Sequence, residues 1–266
     1  MIRILLVLII IKIMPSIKPE PIEIDIIAIR VNRQYENNLL AAASISKNDL
    51  TKNINKEEYK RVLQDLYKIN ITEAQLLDEC RTNIMMTTIL ASKISINASR
   101  QGTKDEQLQL DVFKKTFSKC GIFLNKLSAT SFRPTKNGEV VDNHELKIRG
   151  IKKDDCLKSF DANFTGKING WVFAKIVIGS GGHQDNVFDE AYTLCDWVVK
   201  YGNKLELYII LLDTNIKEKY DDIIAKYENH PYLLIGNHIK IQQSIIDKYY
   251  EDEADESGIS KYPHIS

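Results

Sequence analysis

The spacing of apolar residues changes several times along this chain, and each change marks an element. Ile4 to Ile11 is an unbroken apolar run behind Arg3, interrupted at Lys12. It is far short of a membrane span. It reads as a buried strand or a dispensable start, with a secretory leader as the alternative. Ile22 to Val31 alternates as IEIDIIAIRV and predicts a strand. Glu57 to Ile69 and Glu73 to Ser92 carry helical spacing, for example Leu76, Leu77, Cys80 and Ile84. Residues 1–98 are therefore expected to form a mainly helical region with one leading strand.

After a polar break at Asn97 to Thr103, Lys104 to Lys119 reads as an amphipathic helix with Leu108, Val112, Phe113 and Phe117 turned inward. A short strand (Ile122 to Leu127) follows, then an irregular stretch containing Pro134, Gly138, Asp142 and Asn143. Cys156 to Phe164 predicts a strand, Gly166 to Gly170 a turn, and Trp171 to Ile178 a buried strand. Gln184 to Tyr201 predicts a helix, with Val187, Ala191, Leu194 and Val198 on its apolar side. Glu206 to Leu212 is continuously apolar apart from its first residue, which suits a sheet covered on both faces. Helix, strand and helix are expected at Lys217 to Tyr227, Tyr232 to Ile235 and Ile241 to Tyr250. The fold class is thus α/β: a mixed central sheet flanked by helices, with an α-β-β-β-α-β core. Residues 99–250 would hold that core, and 251–266 form an acidic tail.

Composition leaves this picture in place. The 44% apolar and 27% charged residues are ordinary for a folded chain, and 36 basic residues balance 36 acidic ones. The distribution is informative. Arg100 to Lys175 holds 15 Lys/Arg against 9 Asp/Glu, whereas residues 176–266 hold 8 against 16. A basic middle suits a surface that tracks phosphates, and equally a set of solvated lysines. Cys80, Cys120, Cys156 and Cys195 have neither disulfide-framework nor metal-ligand spacing, which favours reduced thiols and a cytoplasmic setting. The Asn-x-Ser/Thr triplets at Asn70, Asn97 and Asn163 read as chance.

Chemistry concentrates between Ser159 and Gln184. Asp161 lies on one expected strand, flanked by Phe160 and Ala162. Lys175 lies on the next, in VFAKIVIG, where seven of eight residues cannot hydrate a charge. A lysine in such surroundings is costly unless paired or functional. A cross-strand Asp161–Lys175 ion pair is the plain structural reading. Metal-assisted phosphodiester hydrolysis needs the same residue types: carboxylates for the cation, and a lysine near the scissile phosphate.

The order helix, Asp161, hairpin, Lys175, helix, strand resembles the PD-(D/E)XK nuclease fold, and within it the type II restriction endonucleases. The resemblance covers Arg100 to Asn215. It differs from the family pattern at Phe160, where proline often precedes the first acid. It differs again at Phe173, where the second acid stands two residues before the lysine. Some members bring an acid from the preceding helix, a place that Glu106 matches, beside Lys104 and Asp105. These also read as first-turn acids behind a Thr103 cap. Gln184 begins QDNVF, similar to a Gln-x-x-x-Tyr element of related nucleases, with Phe188 in place of the tyrosine. The resemblance implies a Mg²⁺-dependent endonuclease acting on double-stranded DNA, in a possible homodimer. Asp161 and Glu106 would bind the metal, helped by the Ala174 carbonyl. Lys175 would orient the attacking water, and Gln184 would support it.

Two other features bear on partners. Gly179-Ser180-Gly181-Gly182 joins a strand to a helix, so the amides around Gly181 and Gly182 can cradle a phosphate or simply form a flexible connection. The insertion between the first two core strands carries Arg133, Lys136, Lys147, Arg149, Lys152 and Lys153. Arg133 and Arg149 are its candidates for reading bases, and Lys152 and Lys153 for contacting phosphates. His183 is a lone histidine, and Asp213-Thr214-Asn215 reads as a cap into the next helix. Two alternatives remain open: a DNA-binding module of the same fold without catalysis, and a nucleotide-binding α/β protein using the glycine loop.

Overall fold

The structure, a computed structural model, describes residues 18–98, 101–128, 131–178 and 182–251, with side chains from 182 to 185 excluded. The early apolar run, Ser180, Gly181 and nearly all of the acidic tail lie outside the described residues. Among the described residues, no helix is long and apolar enough to cross a membrane.

The chain divides into two compact units at Asp105 and Glu106, some residues beyond the division expected near residue 98. The first unit, Ile24–Asp105, is helical: α1 (Ile26–Ser46), α2 (Lys56–Tyr67), α3 (Glu73–Thr82) and α4 (Ile84–Ile94). Ala41, Ile45, Tyr59, Leu76, Leu90 and Ile94 form its core. Two sequence expectations are corrected here. The strand expected at Ile22 to Val31 is absent: residues 22–25 are irregular and α1 starts at Ile26, capped by the Asp25 side chain, which accepts from the Ala28 N–H. As a helix, this segment leaves Ile27 and Val31 exposed, so its alternation is not the imprint of a buried strand face. The single helix expected over Glu73 to Ser92 is two, because extended Asn83 ends α3 and its side chain caps α4. Within the same unit, buried Asp105 accepts from Arg30 Nε at 2.8 Å and Arg33 Nη1 at 2.6 Å.

The second unit joins the described residues before Ile24 to those from Glu106 onward. Its elements are α5 (Gly102–Lys119, which begins just before the division), β1 (Ile122–Lys126), β2 (Phe132–Pro134), β3 (Val140–Asp142), α6 (Asn143–Arg149), β4 (Ala162–Gly166), β5 (Asn169–Val177), α7 (Gly182–Tyr201), β6 (Glu206–Thr214), α8 (Lys217–Tyr227), β7 (Leu233–Gly236) and α9 (His238–Tyr249). The main sheet has the order β1-β4-β5-β6-β7, with β1, β4 and β5 antiparallel and β5, β6 and β7 parallel. This is the α/β fold with a mixed sheet that the periodicity implied.

Alternation on the strands divides the core into two layers. Val172, Ala174, Leu207, Ile209 and Leu211 face one layer with Phe113 and Phe117 of α5 and Ile241 and Ile245 of α9. Phe173, Val177, Tyr208, Ile210 and Leu212 face the other with Phe188 and Leu194 of α7 and Ile223 of α8. Leu207 to Leu212 are all buried because helices cover both faces. The expected strand from Cys156 is also corrected: regular pairing of β4 begins only at Ala162, and Lys153–Asp155 is a short 3-10 turn.

The insertion between β1 and β4 is more ordered than the sequence suggested. β2 and β3 form a hairpin, and α6 carries a capping box between Asp142 and Glu145. Gly150 ends α6 at φ 65°, a left-handed position suited to glycine. The hairpin is tied down by Phe160 N–H to the Phe132 carbonyl at 3.0 Å and by Trp197 Nε1 to the Thr135 carbonyl at 2.7 Å.

Candidate active site

The N-terminal part of α5, β5 and the residue just before β4 bring three charged side chains together. The backbone of Asp161, just before β4, is held on both sides. Its N–H donates to the Val172 carbonyl at 2.8 Å, and its carbonyl accepts from Leu127 N–H at 3.0 Å. Its carboxylate then reaches across to β5, where Oδ2 accepts the Ala174 N–H at 2.8 Å. Lys175 is the next residue. Its Nζ donates to Glu106 Oε1 at 2.8 Å and lies 3.3 Å from Asp161 Oδ2. Glu106 and Asp161 therefore approach one ammonium from different elements, and their nearest oxygens are no more than about 6 Å apart, the sum of those two distances.

Each of the three side chains is only 20–26% exposed. Burial pushes the Asp161 carboxyl above the usual aspartate range; the Lys175 charge and the Ala174 N–H offset this in part, and Glu106 adds to the rise. Burial pulls the Lys175 ammonium down, but Asp161 and Glu106 outweigh it and hold it above the usual lysine value. Lysine gains from two carboxylates and so outweighs its burial, whereas at Asp161 burial outweighs the one cation it shares. With all three ionised, the cluster carries one excess negative charge.

Phe173, two residues before Lys175, is fully buried in the layer shared with α7 and α8. Its ring centroid lies 5.0 Å from the Lys175 Nζ, a cation–π distance. Phe173 supports the lysine stem and supplies no metal ligand. Among the described residues, no group of three or more Asp, Glu, His or Cys forms a metal cage. Two carboxylates suit the less demanding case of Mg²⁺, which keeps several waters and takes one or two protein carboxylates.

The other candidate residues fare differently. Gln184 lies in the first turn of α7, but its side chain is outside the described residues, as is Gly181; Gly182 starts the same helix. Arg149 is engaged by Glu139, with Nη2 to Oε2 at 2.6 Å. Lys152 and Lys153 are exposed beside Asp154 and Asp155. Arg133 is half-buried on β2, and its Nε has no hydrogen-bond partner among the described residues. Among the described residues, no hydrogen bond or ion pair joins these four to Glu106, Asp161 or Lys175.

Gln109 and His238 were missed in the sequence, and Asp213 was read only as a cap. Gln109 Nε2 donates to Asp213 Oδ2 at 2.6 Å and approaches the Lys175 carbonyl at 3.5 Å. Asp213 Oδ1 accepts from the His238 N–H at 3.1 Å and lies 2.6 Å from His238 Nδ1. Asp213 is thus part of β6 and does not cap α8, whose N-cap is Ile216. One signal was available: Gln109 and Thr116 fall on the inward face of α5 with Phe113 and Phe117, polar residues where the stripe calls for apolar ones.

Compared with family models, curated proteins and solved structures, the chain gave no match.

Proposed function

We propose that this protein is a divalent-metal-dependent endonuclease of double-stranded DNA, of the restriction-enzyme type. The observation that carries the proposal is the meeting of Glu106 from α5, Lys175 from β5 and Asp161 from the segment just before β4, within hydrogen-bond reach. An excess negative charge at a partly exposed cluster suits a cation. Glu106 and Asp161 would hold Mg²⁺, which when bound supplies Lewis-acid polarisation of a phosphate oxygen. Lys175 keeps its proton and offers positive charge where negative charge develops on the phosphate. Asp161, with its backbone held on both sides and its carboxylate on the Ala174 N–H, fixes the lysine's surroundings. Exposed Lys152 and Lys153 suit phosphate contacts away from the scissile bond. A homodimer belongs to the same reading and is measurable by sedimentation.

The test is cleavage of supercoiled plasmid DNA by purified protein. Wild type cleaves in Mg²⁺ and stops in EDTA, while Lys175→Ala loses at least about a hundredfold in rate. Equal cleavage by Lys175→Ala refutes the assignment.

Phe173 favours a second reading, a DNA-binding module without catalysis, because it removes one metal-binding acid. That reading predicts duplex binding that persists in EDTA and no cleavage with any divalent cation.

A further inference from the structure

Behind the charged cluster lies a connected set of buried polar side chains. Gln109 and Gln242 are fully buried, Thr116 is 2% exposed, His238 7% and Asp213 8%. Gln109 donates to Asp213, and Asp213 takes both the backbone N–H and the ring of His238. The His238 carbonyl accepts from Gln242, whose Oε1 accepts from Thr116 on α5. The set links α5, β6 and α9 through the interior, and its end at Gln109 touches the backbone of Lys175.

We infer that Gln109, anchored by Asp213 and His238, is a positioning residue that fixes where Lys175 meets Glu106. Glu106 and Gln109 are three residues apart on α5, so they project from neighbouring points on one helix face. The first holds the Lys175 side chain and the second approaches the Lys175 carbonyl. One contact alone permits the helix to slide along β5, whereas two points one helical turn apart resist it. Asp213 completes the clamp because its neighbour in register on β5 is Ile176, the residue after Lys175. The orientation of the Gln109 amide is determined by chemistry: both neighbours of Nε2 are acceptors, so the NH₂ group must face them. Its Oε1 is buried without a hydrogen-bond partner among the described residues. An unpaired buried acceptor is unfavourable, so the two contacts of the NH₂ side outweigh it.

The catalytic consequence of this clamp rests on the nuclease reading; the clamp itself does not. Gln109→Met keeps the side-chain length and removes the donor. In Mg²⁺ and saturating DNA its kcat is expected to fall by about tenfold or more, with KM for DNA within about twofold of wild type, as misplacement of a reacting group predicts. Gln109→Glu keeps the size but turns the donor into an acceptor facing Asp213 and the Lys175 carbonyl. Its turnover relative to wild type is expected to rise as pH falls and the new carboxyl takes up a proton, a trend that general destabilisation does not produce. Independently of activity, amine-directed labelling of Lys175, read by mass spectrometry, is expected to be about threefold or more faster in Gln109→Met, because the ammonium is less tightly held. Unchanged kcat and unchanged labelling in folded Gln109→Met overturn the positioning role. Absence of wild-type cleavage removes the nuclease reading instead, and the labelling rates then decide the clamp alone.

Discussion

Lys175 Nζ lies 2.8 Å from Glu106 Oε1, although 69 residues separate them in the chain. The sheet supplies one partner and the helix the other, and Asp161 completes the cluster from the residue just before β4. This is more than the cross-strand ion pair that the sequence admits. A single pair needs one acid, whereas here two acids converge on one partly buried ammonium.

Removing the cation should expose that excess. Lys175→Met leaves Asp161 and Glu106 close together and partly buried, with no opposite charge. We expect a loss of about 2–4 kcal/mol in unfolding free energy at pH 7. The loss is expected to shrink as pH falls into the acidic range, where Asp161 takes up a proton. Urea unfolding at pH 7 and across the acidic range measures it, and a pH-independent loss points to simple packing.

The direction of each pKa shift fixes a pH dependence. Asp161 holds its proton more tightly folded than at its unfolded value of 3.8, so its contribution to stability is fully present below that pH. It is lost as pH rises through the higher folded value. Asp161→Asn removes this contribution, so its unfolding free energy is expected to fall less than that of wild type as pH rises above 3.8. Lys175, raised above 10.5, stabilises below that value and ceases to do so as pH climbs through its folded one. Unfolding free energy measured across the acidic range, and again above pH 10, checks both signs.

Much of the fold was legible because burial leaves a period. The continuous run at Leu207 to Leu212 marked a doubly covered strand, and Phe113 and Phe117 marked the inward face of α5. Asp161 and Lys175 stood out as charges in apolar surroundings, and the family resemblance directed attention to Glu106. Other features follow from tertiary context. The Ile22 to Val31 alternation coincides with a helix that leaves Ile27 and Val31 exposed. Gln109, Asp213 and His238 are unremarkable singly, and only the packing of α5 against the sheet makes neighbours of Gln109 and Asp213, more than a hundred positions apart. Phe173 and Lys175, two apart on β5, share one strand face, so their contact was open to prediction once the strand was placed.

If the two carboxylates hold Mg²⁺, the ion should stabilise the folded chain. At tenfold excess over its dissociation constant the gain is about 1.4 kcal/mol, which raises Tm by about 2 °C or more for a chain of this size. Thermal melts with Mg²⁺ and with EDTA measure it. Glu106→Gln and Asp161→Asn are each expected to abolish the difference, and an undiminished rise in both variants places the ion elsewhere.

Glu106 tests the central claim most directly, because Gln in its place preserves the side-chain shape and can still accept from Lys175 while losing the charge. Duplex DNA is incubated with wild type and with Glu106→Gln in Mg²⁺, and the rate of strand cleavage is followed. The account predicts metal-dependent cleavage by wild type and a loss of about a hundredfold or more in the variant. Equal rates in the two proteins, or no cleavage by wild type with any divalent cation, would contradict it.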